Sequence, residues 1–162
     1  MSRIKRLLGY GVMLLLVMTA VDLWRSRDLP ASAGALSQLV TLKGEPVDLV
    51  AQSHHEPVLL YVWASWCGVC RVVSPMVDMV PGPVMSIAIA SGSDQKVAAY
   101  MKDKGHDFEV INDTDNRLAR ALGIGVTPTL MVVHRGELKL ATTGFTTLPG
   151  MILRRWLAEL GI

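Results

Sequence analysis

The amino-acid sequence predicts an α/β fold, a three-layer sandwich around a mixed central sheet, preceded by an N-terminal β-hairpin and a single transmembrane helix. Three observations carry this. Residues 58–64 are a continuous apolar run with β-branched and aromatic residues, the pattern of a strand buried on both faces of a sheet, and residues 84–90 read as a second buried strand. Apolar residues at helical spacing follow each run, so strand and helix alternate and imply a right-handed parallel crossover. The chain then closes with a hairpin pattern over 129–143 and an amphipathic helix over 148–160, which makes the sheet mixed.

Taken in order, Arg3, Lys5 and Arg6 lead into residues 7–21, which carry no charge. That apolar length falls between a signal-peptide core and a spanning helix of roughly 20 residues, so the flank decides. Asp22, Trp24, Arg25 and Arg27 follow with no small-residue cleavage site, and Trp24 suits an interfacial level. Residues 1–25 are therefore expected to be an uncleaved membrane anchor; the rival Ala31-Ser32-Ala33 cleavage pattern lies behind several charges. Three bases before the apolar run and two after it orient it only weakly. Residues 26–38, with Pro30, Ser32, Gly34 and Ser37, read as a tether, and residues 39–162 as one globular domain.

Charge excludes one class of partner. Of the 16 bases and 14 acids, Arg3, Lys5, Arg6, Arg25 and Asp22 fall in residues 1–25, leaving a nearly neutral remainder. Lys102 with Lys104 and Arg154 with Arg155 are the small basic clusters left, and both sit on amphipathic helical patterns as solvated faces. No nucleic-acid partner is expected.

Within the domain, residues 39–42 and 47–50 read as short strands around the turn 43–46. A helix is expected from Gly68 to about Met79 with Pro75 inside it, and another over 94–104 closed by Gly105. A short strand over 109–111 precedes a helix capped by Asn112 or Thr114 and ended by Gly123. Residues 129–134 and 138–143 form the closing hairpin about Arg135-Gly136-Glu137. Met76, Met79, Met85 and Met131 are assigned to apolar faces, His54 and His55 to a loop, and His106 and His134 to the surface.

The chemistry concentrates in two motifs. Trp66-Cys67-Gly68-Val69-Cys70 holds both cysteines of the chain, and two cysteines so close would close only a tiny loop, so reactivity explains them better than stapling. At the leading end of a helix, Cys67 would face unpaired N–H groups and the positive end of the dipole, which favours the nucleophilic thiolate. Cys70, one turn inward on the same face, is placed to resolve a mixed disulfide. The second motif is Gly125-Val126-Thr127-Pro128-Thr129, at the entry to the closing hairpin. A cis bond before Pro128 would let it pack beside the cysteines and leave the Thr127 backbone free to pair with an extended substrate segment.

Residues 58–70, V-L-L-Y-V-W-A-S-W-C-G-V-C, and then G-V-T-P-T before a hairpin and last helix, resemble the thioredoxin superfamily over residues 39–162. With the anchor and the early hairpin, the chain resembles most the TlpA/DsbE-type branch, near the suppressor-of-copper-sensitivity protein D group. The resemblance implies a thioredoxin-like domain tethered to a bacterial inner membrane in the periplasm, with copper tolerance as a setting. It implies disulfide exchange with protein thiols and disulfides, in the reductase direction, supplied by a transmembrane electron-donor protein. Carried over by position, Cys67 is the nucleophile, Cys70 the resolver and Pro128 the cis-proline, with Trp66, Gly68, Val69 and Thr127 as support. No cofactor is expected beyond a redox-active Cys67–Cys70 disulfide. One departure stands: many thioredoxins carry a buried aspartate where this chain has Tyr61, so the proton acceptor for Cys70 has no assigned residue.

The rival reading is a Cu(I) or other metal-binding protein using the same pair. Zinc would want four ligands, and no second cysteine pair exists. A copper carrier would place Met two residues before the first cysteine, where Ser65 stands. No metal ligands are therefore assigned.

Overall fold

The computed structural model describes Gly9, Tyr10, Met13 and residues 33–161. The anchor assigned to residues 1–25 and most of the tether lie outside the described residues. Among the described residues no helix is long and apolar enough to cross a membrane.

A 3₁₀ turn (Gly34–Leu36) opens the described chain, and strands β1 (Leu39–Val40) and β2 (Pro46–Val47) pair antiparallel as the expected hairpin, shorter than the sequence suggests. Residues 49 and 50, read from sequence as strand, instead start helix α1 (Leu49–Ser53). The Asp48 carboxylate accepts from Ala51 N at 2.9 Å, and this N-cap decides the conformation of an apolar pair that suits either element. The fold continues with β3 (Val58–Trp63), α2 (Cys70–Val77), β4 (Val84–Ile89), α3 (Asp94–Lys104), β5 (Glu109–Asp113) and α4 (Arg117–Ala121), then β6 (Thr129–His134), β7 (Glu137–Thr143) and α5 (Leu148–Glu159). The main sheet runs β5-β4-β3-β6-β7, parallel across β3, β4 and β5 and antiparallel from β3 through β6 to β7.

All six residues of β3 are buried, as its uninterrupted apolar run predicts, so both faces of the central strand are covered. The two crossovers β3-α2-β4 and β4-α3-β5 step the same way along the sheet, and right-handed connections put α2 and α3 on one face. On that face Tyr61 meets Ser74 of α2 and Trp63 stacks on Tyr100 of α3 at 5.4 Å, while α5 touches α2. The 3₁₀ turn touches both α1 and α4, and the three form the remaining layer.

Several sequence assignments change. Ala33 and Leu36, placed in the tether, are fully buried, and Ala33 N donates to Gly136 O at 3.0 Å, so packing reaches back before residue 39. Helix α2 begins at Cys70, two residues later than expected, because Gly68 and Val69 form a turn. Neither Asn112 nor Thr114 caps α4; Asn116 takes the N-cap position in a left-handed conformation, and the Asp113 carboxylate receives Leu118 N at 3.1 Å and Ala119 N at 2.8 Å. Met79 is exposed, not on an apolar face. His106 is not a surface residue: its side chain is buried, stacked on Phe108 at 5.3 Å, with Nδ1 2.6 Å from the Asp78 carboxylate. His134 is buried too, at the end of β6. Arg155 is tied to Glu56 and to the Pro81 carbonyl, so one basic cluster is not simply solvated.

Candidate active site

Strand β3 delivers the chain to a short loop, and the loop delivers it to Cys67. Two hydrogen bonds from this loop reach the segment after β4. Ser65 N donates to Ser91 Oγ at 2.9 Å, and Trp66 Nε1 donates to Ala90 O at 3.1 Å. The indole is otherwise open, 61% exposed, so it stands as an apolar shoulder beside Cys67. Cys67 N then donates to Ala64 O at 3.1 Å and turns the chain into α2.

Cys67 and Cys70 form a disulfide with Cα atoms 5.3 Å apart. Cys70 is fully buried, whereas Cys67 keeps 6% exposure, so the outer sulfur is the one a partner can reach. Cys70 N points at Cys67 Sγ from 3.2 Å. An amide aimed at that sulfur, at the N-terminal end of α2, stabilises negative charge there more than on a sulfur in water. Gly68 and Val69 lie exposed between the cysteines, and a Cβ on Gly68 would meet nothing within 4 Å. Glycine is therefore not needed there for packing; it leaves the approach to Cys67 open.

The Thr127–Pro128 bond is cis. The β3–β6 register pairs Val62 with Thr129, which sets Pro128 one step further, beside Trp63 at the strand end that leads to the cysteines. Pro128 is buried, Thr127 half-buried and Val126 exposed, and Pro128 O is held by Gly144 N at 2.8 Å. That bond brings the exposed ring of Phe145 to the same end of the sheet. Trp66, Val69, Val126 and Phe145 thus give this end an apolar rim.

Sequence reasoning placed Cys67, Cys70, Trp66, Gly68, Val69, Thr127 and Pro128, and the topology brings the two motifs to one end of the sheet. It missed Ser91, which fixes the loop before Cys67, and Ser74, whose hydroxyl lies 2.9 Å from Tyr61 OH. A lone serine 26 residues from its partner leaves no pattern in the sequence. Tyr61 is fully buried, and burial pushes its phenol well above the usual range. It is no proton acceptor near neutral pH. Among the described residues no group of three or more His, Cys, Asp or Glu converges as metal ligands would.

A mixed sheet with a dithiol where its central strand hands over to a helix defines a thioredoxin-like α/β protein of the disulfide oxidoreductase class. The Redoxin family model matches residues 26–144, and the chain belongs to that family. A thioredoxin-like protein of Haemophilus influenzae is 33% identical over 164 residues, 97% of this chain and 98% of the relative. Among solved structures, a DsbF homologue from Corynebacterium diphtheriae aligns with TM-score 0.64 at 25% identity, over 78% of this chain and 85% of that one. A secreted Mycobacterium tuberculosis disulfide oxidoreductase homologous to E. coli DsbE aligns with TM-score 0.63 at 19% identity, over 76% and 96%, and shares the fold.

Proposed function

We propose that this protein exchanges disulfides with protein partners outside the cytoplasm, Cys67 attacking or being attacked and Cys70 resolving, with the reductase direction as its working direction. The observation that carries the reading is the asymmetry of the pair: Cys67 is reachable and faces an amide 3.2 Å away, while Cys70 is sealed beneath it. In the reductase direction the Cys67 thiolate attacks one sulfur of a partner disulfide, and the partner's other sulfur leaves as a thiolate and takes a proton. Cys70 then loses its proton and displaces the partner from Cys67, leaving the Cys67–Cys70 disulfide and a reduced partner. An electron donor must next reduce that disulfide, and a membrane dithiol protein is the class that fits.

The apolar rim of Trp66, Val69, Val126 and Phe145 favours an extended, unfolded or flexible segment, with the Thr127 backbone as its pairing edge. No cofactor beyond the cysteine pair enters this scheme, and Trp66, Gly68, Val69, Thr127 and Pro128 support it. The extracytoplasmic setting is supported by the chemistry, since disulfides persist there, and by the apolar, base-led residues 1–25 as an inner-membrane anchor with the domain in the periplasm. Copper tolerance belongs to the reading through resemblance to the suppressor-of-copper-sensitivity protein D group alone.

The test is Cys70→Ala. With no resolving thiol, Cys67 is expected to hold its partner as a mixed disulfide, seen on a non-reducing gel and released by reductant. Absence of any trapped species in cells under oxidising stress would overturn the reading. A reduction potential near that of thioredoxin, about −270 mV, agrees with the reductase direction, and one near about −120 mV reverses it.

A further inference from the structure

Two buried hydroxyls lie between the cysteine turn and the central strand, and the exchange scheme does not use them. Tyr61 on β3 and Ser74 on α2 are both fully buried, with Tyr61 OH 2.9 Å from Ser74 Oγ and 3.5 Å from the Cys70 carbonyl it faces. Polar groups are costly to bury, and an apolar pair would fill the same space without that cost. Burial is the main cause that keeps the phenol protonated, opposed by the Ser74 bond, with Tyr100 and Asp78 reinforcing it. The phenol is therefore a neutral donor at working pH.

Their position answers a weakness in α2. Pro75 lies inside this helix and has no N–H, so the Arg71 carbonyl loses its partner four residues on. The ladder that should tie the cysteine turn to the rest of α2 is one bond short. Ser74 sits one turn after Cys70 on the same helical face. Its bond to Tyr61 ties the sheet to α2 one turn beyond Cys70, while Tyr61 OH reaches the cysteine turn itself at the Cys70 carbonyl, 3.5 Å away, and that turn aims Cys70 N at Cys67 Sγ.

We propose that Tyr61 and Ser74 are positioning residues for the thiol chemistry: the hydroxyl pair braces the first turn of α2 against β3, so that the Cys70 amide stays aimed at Cys67 and favours its thiolate. The inference rests on the function proposed above. Loosening the brace weakens the thiolate, and a dithiol whose reduced form is less stabilised is the stronger reductant.

The experiment compares wild type with Tyr61→Phe, Ser74→Ala and Ser74→Thr. Tyr61→Phe keeps the ring and its edge-on contact with Phe108 at 5.8 Å. Two quantities are read: the pH dependence of Cys67 alkylation by iodoacetamide in the reduced protein, resolved by mass, and the equilibrium of the cysteine pair with glutathione. Tyr61→Phe and Ser74→Ala are expected to move the alkylation curve to higher pH. They should also shift the glutathione equilibrium toward the disulfide by about three- to tenfold, about 15–30 mV more reducing. Ser74→Thr, which retains the hydroxyl, should return both toward wild type. Variants that only melt earlier, with the alkylation curve and equilibrium of wild type, would overturn the inference. If the wild-type pair failed to exchange with glutathione, the oxidoreductase reading would fall, while the alkylation curves would still decide for or against the brace.

Discussion

Ser91→Ala should cost more than Trp66→Phe, although each removes one hydroxyl or indole contact to the same loop. Ser91 Oγ accepts from Ser65 N at 2.9 Å and donates to Ile89 O at 3.0 Å, and the residue is only 9% exposed. Deleting it leaves an N–H and a carbonyl without their partner. A buried group left unmade costs about 1–3 kcal/mol. Ser65 is half-buried, so water can reach one of the two, and the expected loss is about 1–3 kcal/mol in all. Trp66 Nε1 also makes one bond, to Ala90 O, yet its ring is mostly in solvent, so water replaces it at a cost below about 1 kcal/mol. Urea unfolding of the oxidised proteins, read as midpoint shifts at constant slope, measures both. The loop ends at Cys67, so amide exchange at Ser65 and Cys67 should quicken in Ser91→Ala and stay unchanged in Trp66→Phe. A Trp66→Phe loss equal to or above that of Ser91→Ala would refute the burial argument.

Two further outcomes follow from the core. Leu36→Ala removes a fully buried side chain ahead of the first strand and should destabilise by about 2–5 kcal/mol in urea, whereas a tether residue would cost less than about 0.5 kcal/mol. Tyr61 gives a pH signature: because burial raises its phenol in the folded state, the unfolded chain ionises first. Its contribution is complete below the unfolded value near pH 10 and is lost as pH rises from there toward the folded value. The slope is about 1.4 kcal/mol per pH unit, and Tyr61→Phe should remove that part of it. Equal alkaline unfolding profiles for the two proteins would contradict this.

The strands β3 and β4, the helix α3 with its left-handed Gly105 cap, and the closing hairpin were legible because each is written in neighbouring residues. A doubly buried strand is mostly apolar, with a polar residue such as Ser86 of β4 kept where it accepts a hydrogen bond from Trp63 Nε1 at 3.1 Å, and a two-residue hairpin turn needs residues that accept positive φ, as Arg135 at 52° and Gly136 at 74° do. The cysteine pair and Thr127-Pro128 stood out for the same reason: their chemistry is tied to a spacing of one to three residues.

What the sequence settled by itself was therefore local: the order of elements, the dithiol and the proline beside it. Tertiary structure alone decided which distant groups meet. Ser65 finds Ser91, Tyr61 finds Ser74, and Asp78 finds His106 across 26, 13 and 28 residues. Those pairings depend on sheet order and on which face each helix covers, and spacing rules within a turn or a strand carry no information about either. The same cause hid α1, whose apolar start suits strand or helix until Asp48 caps it, and the burial of Leu36, which needs a second layer to cover it. A buried hydrogen bond is chosen by the surroundings that exclude water from it, and those surroundings exist only once the chain has folded.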